Sequence, residues 1–328
     1  MNVCVVGGAG YIGSHVVVAL LEQNHSVLVY DNMSSGDAVN LQKGAAFVKG
    51  DILDQPYFEQ TLRDFKADAV IHLAAFKAAG ESMIVPSKYS ENNIAGSIRL
   101  LNACDAVGVK NIVFSSTAAV YGEPKYNPID EKHPTEPMNY YGFTKLNIEM
   151  LLKWYSQLKG IRFAALRYFN AAGYDTQMRV VGLERNPANL LPVVMEVAAG
   201  IRAQMQVFGD DYPTPDGSGV RDYIHVSDLA DAHVKALDYL QKEQKDITVN
   251  LGTQVGASVI EMIRVAEEIT GKKVTHQIVA RREGDPAELY ATAALAQELL
   301  GWKPQFSDIQ TLIQSTWNVY LKNLSAKS

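Results

Sequence analysis

Residues 3–31 read VCVVGGAGYIGSHVVVALLEQNHSVLVYD, and this stretch decides the fold. A short apolar run, Val3-Cys4-Val5-Val6, enters a glycine turn, Gly7-Gly8-Ala9-Gly10-Tyr11-Ile12-Gly13. A helical pattern follows over 12–23, then a second β-type run that ends on Asp31. Two registers fit, Gly7-x-x-Gly10-x-x-Gly13 and Gly8-x-Gly10-x-x-Gly13. Glycines at this spacing permit a tight turn, close approach of the backbone to a pyrophosphate, and close helix–strand packing. The helix that follows presents free N–H groups and a positive dipole end to the phosphates. Asp31 lies 18 residues beyond Gly13, where a carboxylate accepts from adenosine ribose hydroxyls and repels a 2′-phosphate. The cofactor expected is therefore NAD rather than NADP. A glycine turn by itself is a weak signal; the strand before, helix after and acid at this distance make it a dinucleotide site. Gly50-Asp51-Ile52, after a third strand, either places a second carboxylate near the adenine or is an ordinary aspartate turn.

The same alternation continues outward. Residues 26–30, 45–49, 69–73, 111–115 and 162–167 are short and mostly rich in Val and Ile, and read as strands. Helical patterns lie near 55–65, 86–107 and 141–159. The class expected is α/β, a Rossmann-like doubly wound parallel sheet covered on both faces. After residue 168 the rhythm changes. Pro and Gly cluster over 209–219 as a loop. Helices are expected near 188–200, 227–241, 258–270, 294–300 and 308–321, with strands at 205–208, 247–250 and 274–279. The division expected is 1–168 as the cofactor-binding unit, with 221–250 returning to it. Residues 169–328 then form a smaller mixed α/β substrate domain.

Tyr141 and Lys145 stand at i and i+4 on the helix expected over 141–159, so they share a face. An ammonium beside a phenol favours the phenolate, so the pair reads as a base with a lowered pKa. Strand 111–115 runs into Ser115-Ser116-Thr117, setting hydroxyls at the carboxyl edge of a parallel sheet, where ligands bind. A YxxxK match alone also describes a helix-surface pair. Following a dinucleotide fingerprint, with Thr117 24 residues earlier, the catalytic reading is the stronger one.

Composition bounds the rest. The 328 residues carry 30 Lys+Arg and 36 Asp+Glu, a net charge of 30 − 36 = −6, which argues against a nucleic-acid partner. Apolar residues make up 47%, too many for disorder, and no run approaches a membrane span. The start lacks the basic n-region of a signal peptide. Cys4 and Cys104 offer no CxxC pair, and a reduced cytoplasmic setting is expected. The seven histidines include no HxxxH or HxH pair, so no metal is expected. His225 and His233 read as packing or hydrogen-bonding residues, and Cys4 as a small buried apolar one.

These residues resemble the extended short-chain dehydrogenase/reductase superfamily and, within it, the UDP-glucose 4-epimerase family. The resemblance runs through nearly the whole chain. The more specific stretches are Phe208-Gly209-Asp210-Asp211-Tyr212-Pro213 with Arg221-Asp222-Tyr223-Ile224-His225-Val226, and Arg282-Glu283-Gly284-Asp285-Pro286-Ala287. It implies reversible, redox-neutral inversion at C4′ of UDP-glucose and UDP-galactose through a 4-keto sugar, with NAD retained. Tyr141 would be the base, Lys145 its partner and a ligand of the NAD ribose, and Thr117 the hydroxyl on the sugar O4. Most relatives carry serine at that last position. Gly7, Gly10, Tyr11, Ile12, Gly13, Asp31, Asn32, Asp51, Ile52, Lys77, Asn93 and Tyr168 would hold the cofactor. Asn170, Asn189, Leu190, Phe208, Arg221 and Arg282 would hold the UDP moiety. Paired arginines suit a pyrophosphate; from sequence alone, Arg221 and Arg282 read rather as exposed ion pairs with Asp222 or Glu283, and the resemblance reverses this. Leu289 would limit space at the sugar C2, with Tyr290 next door, so UDP-GlcNAc and UDP-GalNAc are candidate further substrates. A homodimer through helices near 90–107 and 141–159 is implied. A nucleotide-sugar dehydratase would need an acid where Ala118 and Ala119 stand, and a non-catalytic dinucleotide sensor would not need Tyr141 and Lys145.

Overall fold

The structure, a computed structural model, describes residues 1–184, 187–282 and 285–326. The chain opens β1 (Asn2–Val6), α1 (Tyr11–Glu22), β2 (Ser26–Asp31), β3 (Ala46–Lys49), α2 (Gln55–Phe65) and β4 (Ala69–His72). Next come the short helices α3 (Ala79–Ile84) and α4 (Pro86–Tyr89), then α5 (Gly96–Val107), β5 (Asn111–Ser115), α6 (Tyr140–Lys159) and β6 (Arg162–Tyr168). The chain continues through β7 (Asn170–Ala172), α7 (Leu190–Ala198), β8 (Met205–Phe208), β9 (Val220–Arg221) and β10 (Tyr223–His225). It closes with α8 (Val226–Glu243), β11 (Ile247–Leu251), β12 (Ala257–Ser258), α9 (Val259–Thr270), β13 (His276–Val279), β14 (Glu288–Leu289), α10 (Ala294–Leu300) and α11 (Ile309–Ser325).

Seven strands form one all-parallel sheet in the order β11-β6-β5-β4-β1-β2-β3. This is the expected doubly wound class. Strand order reverses between β1 and β4, which opens a crevice outside their carboxyl ends. Both faces of the inner strands are covered, which is why β1, β2 and β4 are continuously apolar rather than alternating, while the edge strand β3 is largely exposed. Val3 and Val5 of β1 enter a core with Val16, Val17 and Leu20 of α1 and Leu229, Val234 and Leu237 of α8. Cys4 and Val6 face the opposite core, with Phe58 and Leu62 of α2, Leu100 and Cys104 of α5, and Ile148 and Leu152 of α6. Cys4 is thus a buried apolar side chain, as read.

The chain leaves this sheet after β6 and re-enters it through α8 and β11. Between and after these, α7, α9, α11 and β8 enclose a third core around Leu191, Val194, Val207, Met262, Ile263 and Trp317. β9 carries Arg221, between antiparallel β12 and parallel β14, and sets Leu289 directly beside Arg221.

One expectation is corrected: 86–107 is not a single helix. α4 and α5 are joined by a π-helical segment over Ser90–Ala95. Its wider turn carries Asn93, which is fully buried and reaches back to the loop after β4. π-Turns of this kind occur where a helix side chain is needed elsewhere. α3, which has no amphipathic repeat and contains Gly80, was not foreseen.

Candidate active site

The glycine turn lies at the carboxyl end of β1. Gly7 takes φ +85°, and a Cβ there would sit 2.7 Å from the Ala74 backbone nitrogen. A Cβ on Gly13 would meet the Gly7 carbonyl oxygen and lie 2.8 Å from Gly8 Cα. Gly10 is the α1 N-cap and has no side chain to engage the first-turn N–H groups, which stay open to an anion. Tyr11 donates from its hydroxyl to the Gly173 carbonyl, and Ile12 packs on the first core. A cradle closed to any Cβ at Gly7 and Gly13, ending in uncapped N–H groups, fits a pyrophosphate.

Asp31 follows on β2. Its Oδ2 accepts from the Ala9 N–H at 3.0 Å and its Oδ1 from the Met33 N–H at 2.8 Å. The carboxylate is thus fixed against the glycine turn, with lone pairs left for hydroxyl donors. Asn32 donates to Asp51 Oδ2 at 2.8 Å, and Ile52 is buried beneath them. Asn93 clamps the loop after β4 through the Phe76 N–H (2.9 Å) and C=O (3.0 Å). Lys77, on that loop, pairs with Glu184, so here it spans toward the later half of the chain.

Asn139 caps α6 by accepting from the Gly142 N–H at 2.8 Å, which sets Tyr141 in the first turn. The Thr117 hydroxyl, which accepts from the Ala119 N–H at 3.2 Å, lies close enough to the Tyr141 phenol to favour its phenolate. Lys145 is buried, donates to the Ser115 carbonyl at 2.7 Å, and lies over the Phe114 ring at 4.7 Å. Tyr168 shares a hydrogen bond between its hydroxyl and that of Ser115. The two strand ends, the 116–117 loop and the first turns of α6 therefore converge.

The electrostatics differ from expectation. Burial pushes the Tyr141 phenol up to about 12, opposed by the Thr117 hydroxyl. Burial pulls Lys145 down to about 7, opposed by the Glu149 carboxylate. The lowered phenol pKa read from the i,i+4 spacing is corrected. The Lys145 ammonium lies 5.9 Å from the Tyr141 ring centre and spends a donor on Ser115, so desolvation outweighs attraction.

The expected UDP residues fall into small groups. Arg282 stacks on the Phe208 ring, 3.7 Å from its centroid. Arg221 Nη2 pairs with Asp285 at 3.2 Å rather than with Asp222. Asp222 is fully buried, accepts from Thr253 and from the Ala291 N–H, and is pushed up to about 6 by burial. Glu283 and Gly284 lie outside the described residues. Asn170 donates to the Asp222 carbonyl at 3.0 Å. Asn189 stands at the N-cap of α7 without a side-chain capping bond and lines a small cavity with Tyr11, Gly173 and Glu184. Leu190 packs on the third core. Leu289 packs with Phe169 against Ala118 and Tyr121, close behind the Thr117 loop.

Three participants escaped the sequence reading. Ser82 of α3 accepts from the Tyr141 N–H at 3.0 Å, and no local pattern marks it. Glu149 and Arg167 form a buried pair at 2.5 Å. Glu149, one turn beyond Lys145, was within reach of the same spacing argument. His225 and His233 serve in hydrogen bonding as read, to Ser315 and to the Leu229 carbonyl. Among the described residues no cluster of His, Cys, Asp or Glu is arranged to hold a metal.

Residues 3–252 match the NAD dependent epimerase/dehydratase family model. A protein named UDP-glucose 4-epimerase from Lacticaseibacillus casei is 44% identical over 319 residues, covering 97% of this chain and 96% of that one. Its namesake from Streptococcus mutans is 45% identical over 320 residues, with the same coverage. The crystal structure of the Brucella ovis UDP-glucose 4-epimerase in complex with NAD superposes with a TM-score of 0.95 at 44% identity, covering 97% of this chain and 98% of that one. That of Stenotrophomonas maltophila, with bound NAD and formylated UDP-arabinopyranose, gives 0.96 at 43% identity, covering 100% of each. With a glycine cradle, a Tyr–Lys helix and a matching sheet already in place, this likeness over almost the full length makes the chain a member of the UDP-glucose 4-epimerase family.

Proposed function

We propose that this chain catalyses the reversible, redox-neutral inversion of C4′ in UDP-glucose and UDP-galactose with NAD held throughout. What supports the reading is the meeting of Thr117, Tyr141 and Lys145 at the carboxyl edge of the same sheet whose β1 leads into the glycine cradle. The 1–168 unit, with α8 and β11, would hold NAD through Gly7, Gly10, Gly13, Asp31, Asn32, Asp51, Lys77, Asn93, Lys145 and Tyr168. The remaining chain would hold the UDP-sugar. When bound, NAD supplies a reversible hydride acceptor and a positive charge beside the phenol.

Thr117 donates to the sugar O4 and orients the 4′-hydroxyl toward Tyr141. Tyr141 removes that proton as C4′ is oxidised, and the Lys145 ammonium, held on Ser115, stabilises the phenolate. Arg221 and Arg282 grip the pyrophosphate, the latter braced on Phe208. The flat 4-keto carbon turns about that tether and offers its other face, and Tyr141 returns the proton as the hydride comes back to C4′. Ala118 and Ala119 follow Thr117, so no side chain there carries the acid that dehydration needs.

Leucine at 289 leaves more room than tyrosine would, so UDP-GlcNAc and UDP-GalNAc are proposed as further substrates. Phe143, Met150, Trp154 and Leu158 form an exposed apolar stripe on α6, which supports a homodimer through α5 and α6. Two buried free thiols support a reducing, cytoplasmic setting, and among the described residues no helix is long and apolar enough to cross a membrane.

The test is purified protein without added cofactor, given UDP-galactose and UDP-GalNAc in parallel. Conversion of UDP-galactose supports the reading, and conversion of both supports the open C2 pocket. No conversion of either, even with NAD restored, overturns it.

A further inference from the structure

A buried polar chain lies directly behind the reacting groups. Glu149 follows Tyr141 and Lys145 on the same face of α6, at successive i+4 steps. Its Oε1 accepts from the Ser116 hydroxyl at 2.6 Å and from Arg167 Nε at 2.9 Å, and its Oε2 accepts from Arg167 Nη2 at 2.5 Å. Arg167 Nη1 donates to the Tyr121 hydroxyl at 3.0 Å, and that hydroxyl donates to Asn250 Oδ1 of β11 at 2.6 Å. Glu149 is 1% exposed and Arg167 5%, so neither charge is solvated, and each depends on the other.

The chain joins every element that presents a reacting group. Ser116 precedes Thr117, Arg167 precedes Tyr168, and Glu149 lies one turn beyond Lys145. Core packing would be served equally by apolar side chains here, since a buried ion pair adds little net stability over them. A pair so placed fixes geometry instead. It holds the Thr117 loop at the height of the phenol on α6, and it leaves a carboxylate beside the ammonium of Lys145.

We infer that Glu149, anchored by Arg167, is a positioning residue that sets the Thr117 loop against Tyr141 and keeps Lys145 protonated during turnover. The inference rests on the proposed epimerisation for its kinetic readout. The other groups facing Lys145 do not replace Glu149. Tyr141 and Tyr168 are phenols whose burial favours the neutral form. His72 of β4 is held neutral by burial, with Lys145 adding to the effect. Phe114 offers only its ring face. Removing the Glu149 charge leaves Arg167 unbalanced and pulls the Lys145 pKa down.

The experiment compares wild type with E149Q, which keeps the shape but removes the charge and turns one acceptor oxygen into an amide donor. Two readouts are taken on the NAD-loaded protein: the pH profile of kcat and KM for UDP-galactose, and the Lys145 titration by NMR of its labelled side-chain nitrogen. The expected result is a kcat lower by about tenfold or more with KM little changed. Both the alkaline limb of kcat and the Lys145 midpoint should move down by about one pH unit. A kcat within twofold of wild type, or a loss of kcat with neither limb nor midpoint moved, overturns the inference. Should E149Q not fold, Ser116→Ala decides, because it leaves the ion pair intact and cuts only the link to the loop. It should lower kcat with the Lys145 midpoint unchanged, and wild-type kcat there overturns the positioning role. A wild-type protein that fails to epimerise while its Lys145 midpoint still falls in E149Q would remove the proposed function and leave the charge coupling standing.

Discussion

Replacing Gly13 with alanine tests the glycine cradle at its tightest point. The added methyl would meet the Gly7 carbonyl oxygen and lie 2.8 Å from Gly8 Cα and 2.9 Å from the Gly7 carbonyl carbon. All three are backbone atoms of a turn already pinned by the Gly10 N–H to Gly7 oxygen bond at 3.2 Å. No side chain can swing aside, so α1 must retreat from β1. Overpacking of this kind costs about 2 kcal/mol, which for a chain of this length is about 3 °C in Tm. The displaced first turn of α1 also withdraws its N–H groups from the phosphates, and a loss of about 1.4 kcal/mol in binding is tenfold in NAD affinity. Gly10→Ala is the control. A Cβ there meets only the Gly7 oxygen, at 3.2 Å, so folding should change by less than about 1 kcal/mol. On the proposed reading, its methyl would crowd the pyrophosphate that the open first-turn N–H groups would hold. Thermal melts and the NAD released from each purified variant measure both quantities. Gly13→Ala should lose stability and cofactor together, and Gly10→Ala cofactor alone. A Gly13→Ala protein with wild-type Tm and wild-type NAD content would refute the reasoning.

Tyr141→Phe should lower kcat for UDP-galactose by about a hundredfold or more while the circular dichroism and bound NAD stay as in wild type; an active variant removes the base assignment. Arg282→Ala loses its stack on Phe208 and, on the proposed reading, a phosphate ligand, so KM should rise about tenfold with a smaller change in kcat, measured by initial rates. Leu289→Tyr should retain UDP-galactose conversion and lose UDP-GalNAc conversion, which a parallel assay of the two sugars reads directly. Stability should fall as pH drops below about 6.5. Burial lowers His15, His225 and His233 to about 4 and His72 to about 3, so the unfolded chain binds protons that the folded one refuses. By pH of about 5 each contributes a loss of about 2 kcal/mol, and His233→Leu should flatten the slope in chemical denaturation. His233 is the apt choice because its Nε2 has no hydrogen-bond partner among the described residues.

The large sheet was legible because a strand buried on both faces writes itself as an unbroken apolar run. Val3–Val6 and the 69–71 stretch of β4 are such runs. β9, β12 and β14 are two residues long, too short for any periodicity, and exist only because the 220–221, 257–258 and 288–289 segments meet in space. The site divides the same way. Tyr141 with Lys145, and the glycine turn with Asp31, are fixed by local spacing and could be named in advance. Ser82 under Tyr141 and Arg167 beside Glu149 depend on contacts 59 and 18 residues apart in sequence. The direction of the Tyr141 pKa was misread for a related reason. Spacing shows which charge is near, whereas burial is a property of the whole fold and here outweighs it.

The late return of β11 has a consequence for how the chain comes to be folded. β6 ends at Tyr168 and its outer edge is paired with Ile247–Leu251. Roughly eighty residues must be synthesised in between, several seconds of translation at about 5–20 residues per second. Throughout that interval the nascent sheet offers the seven residues of β6, mostly apolar, as an unpaired edge. The α1 face also waits for Leu229, Val234 and Leu237 of α8. A fragment cut at 168 would keep the whole glycine turn and Tyr–Lys helix yet have nothing to close either surface, and its fate is aggregation rather than cofactor binding.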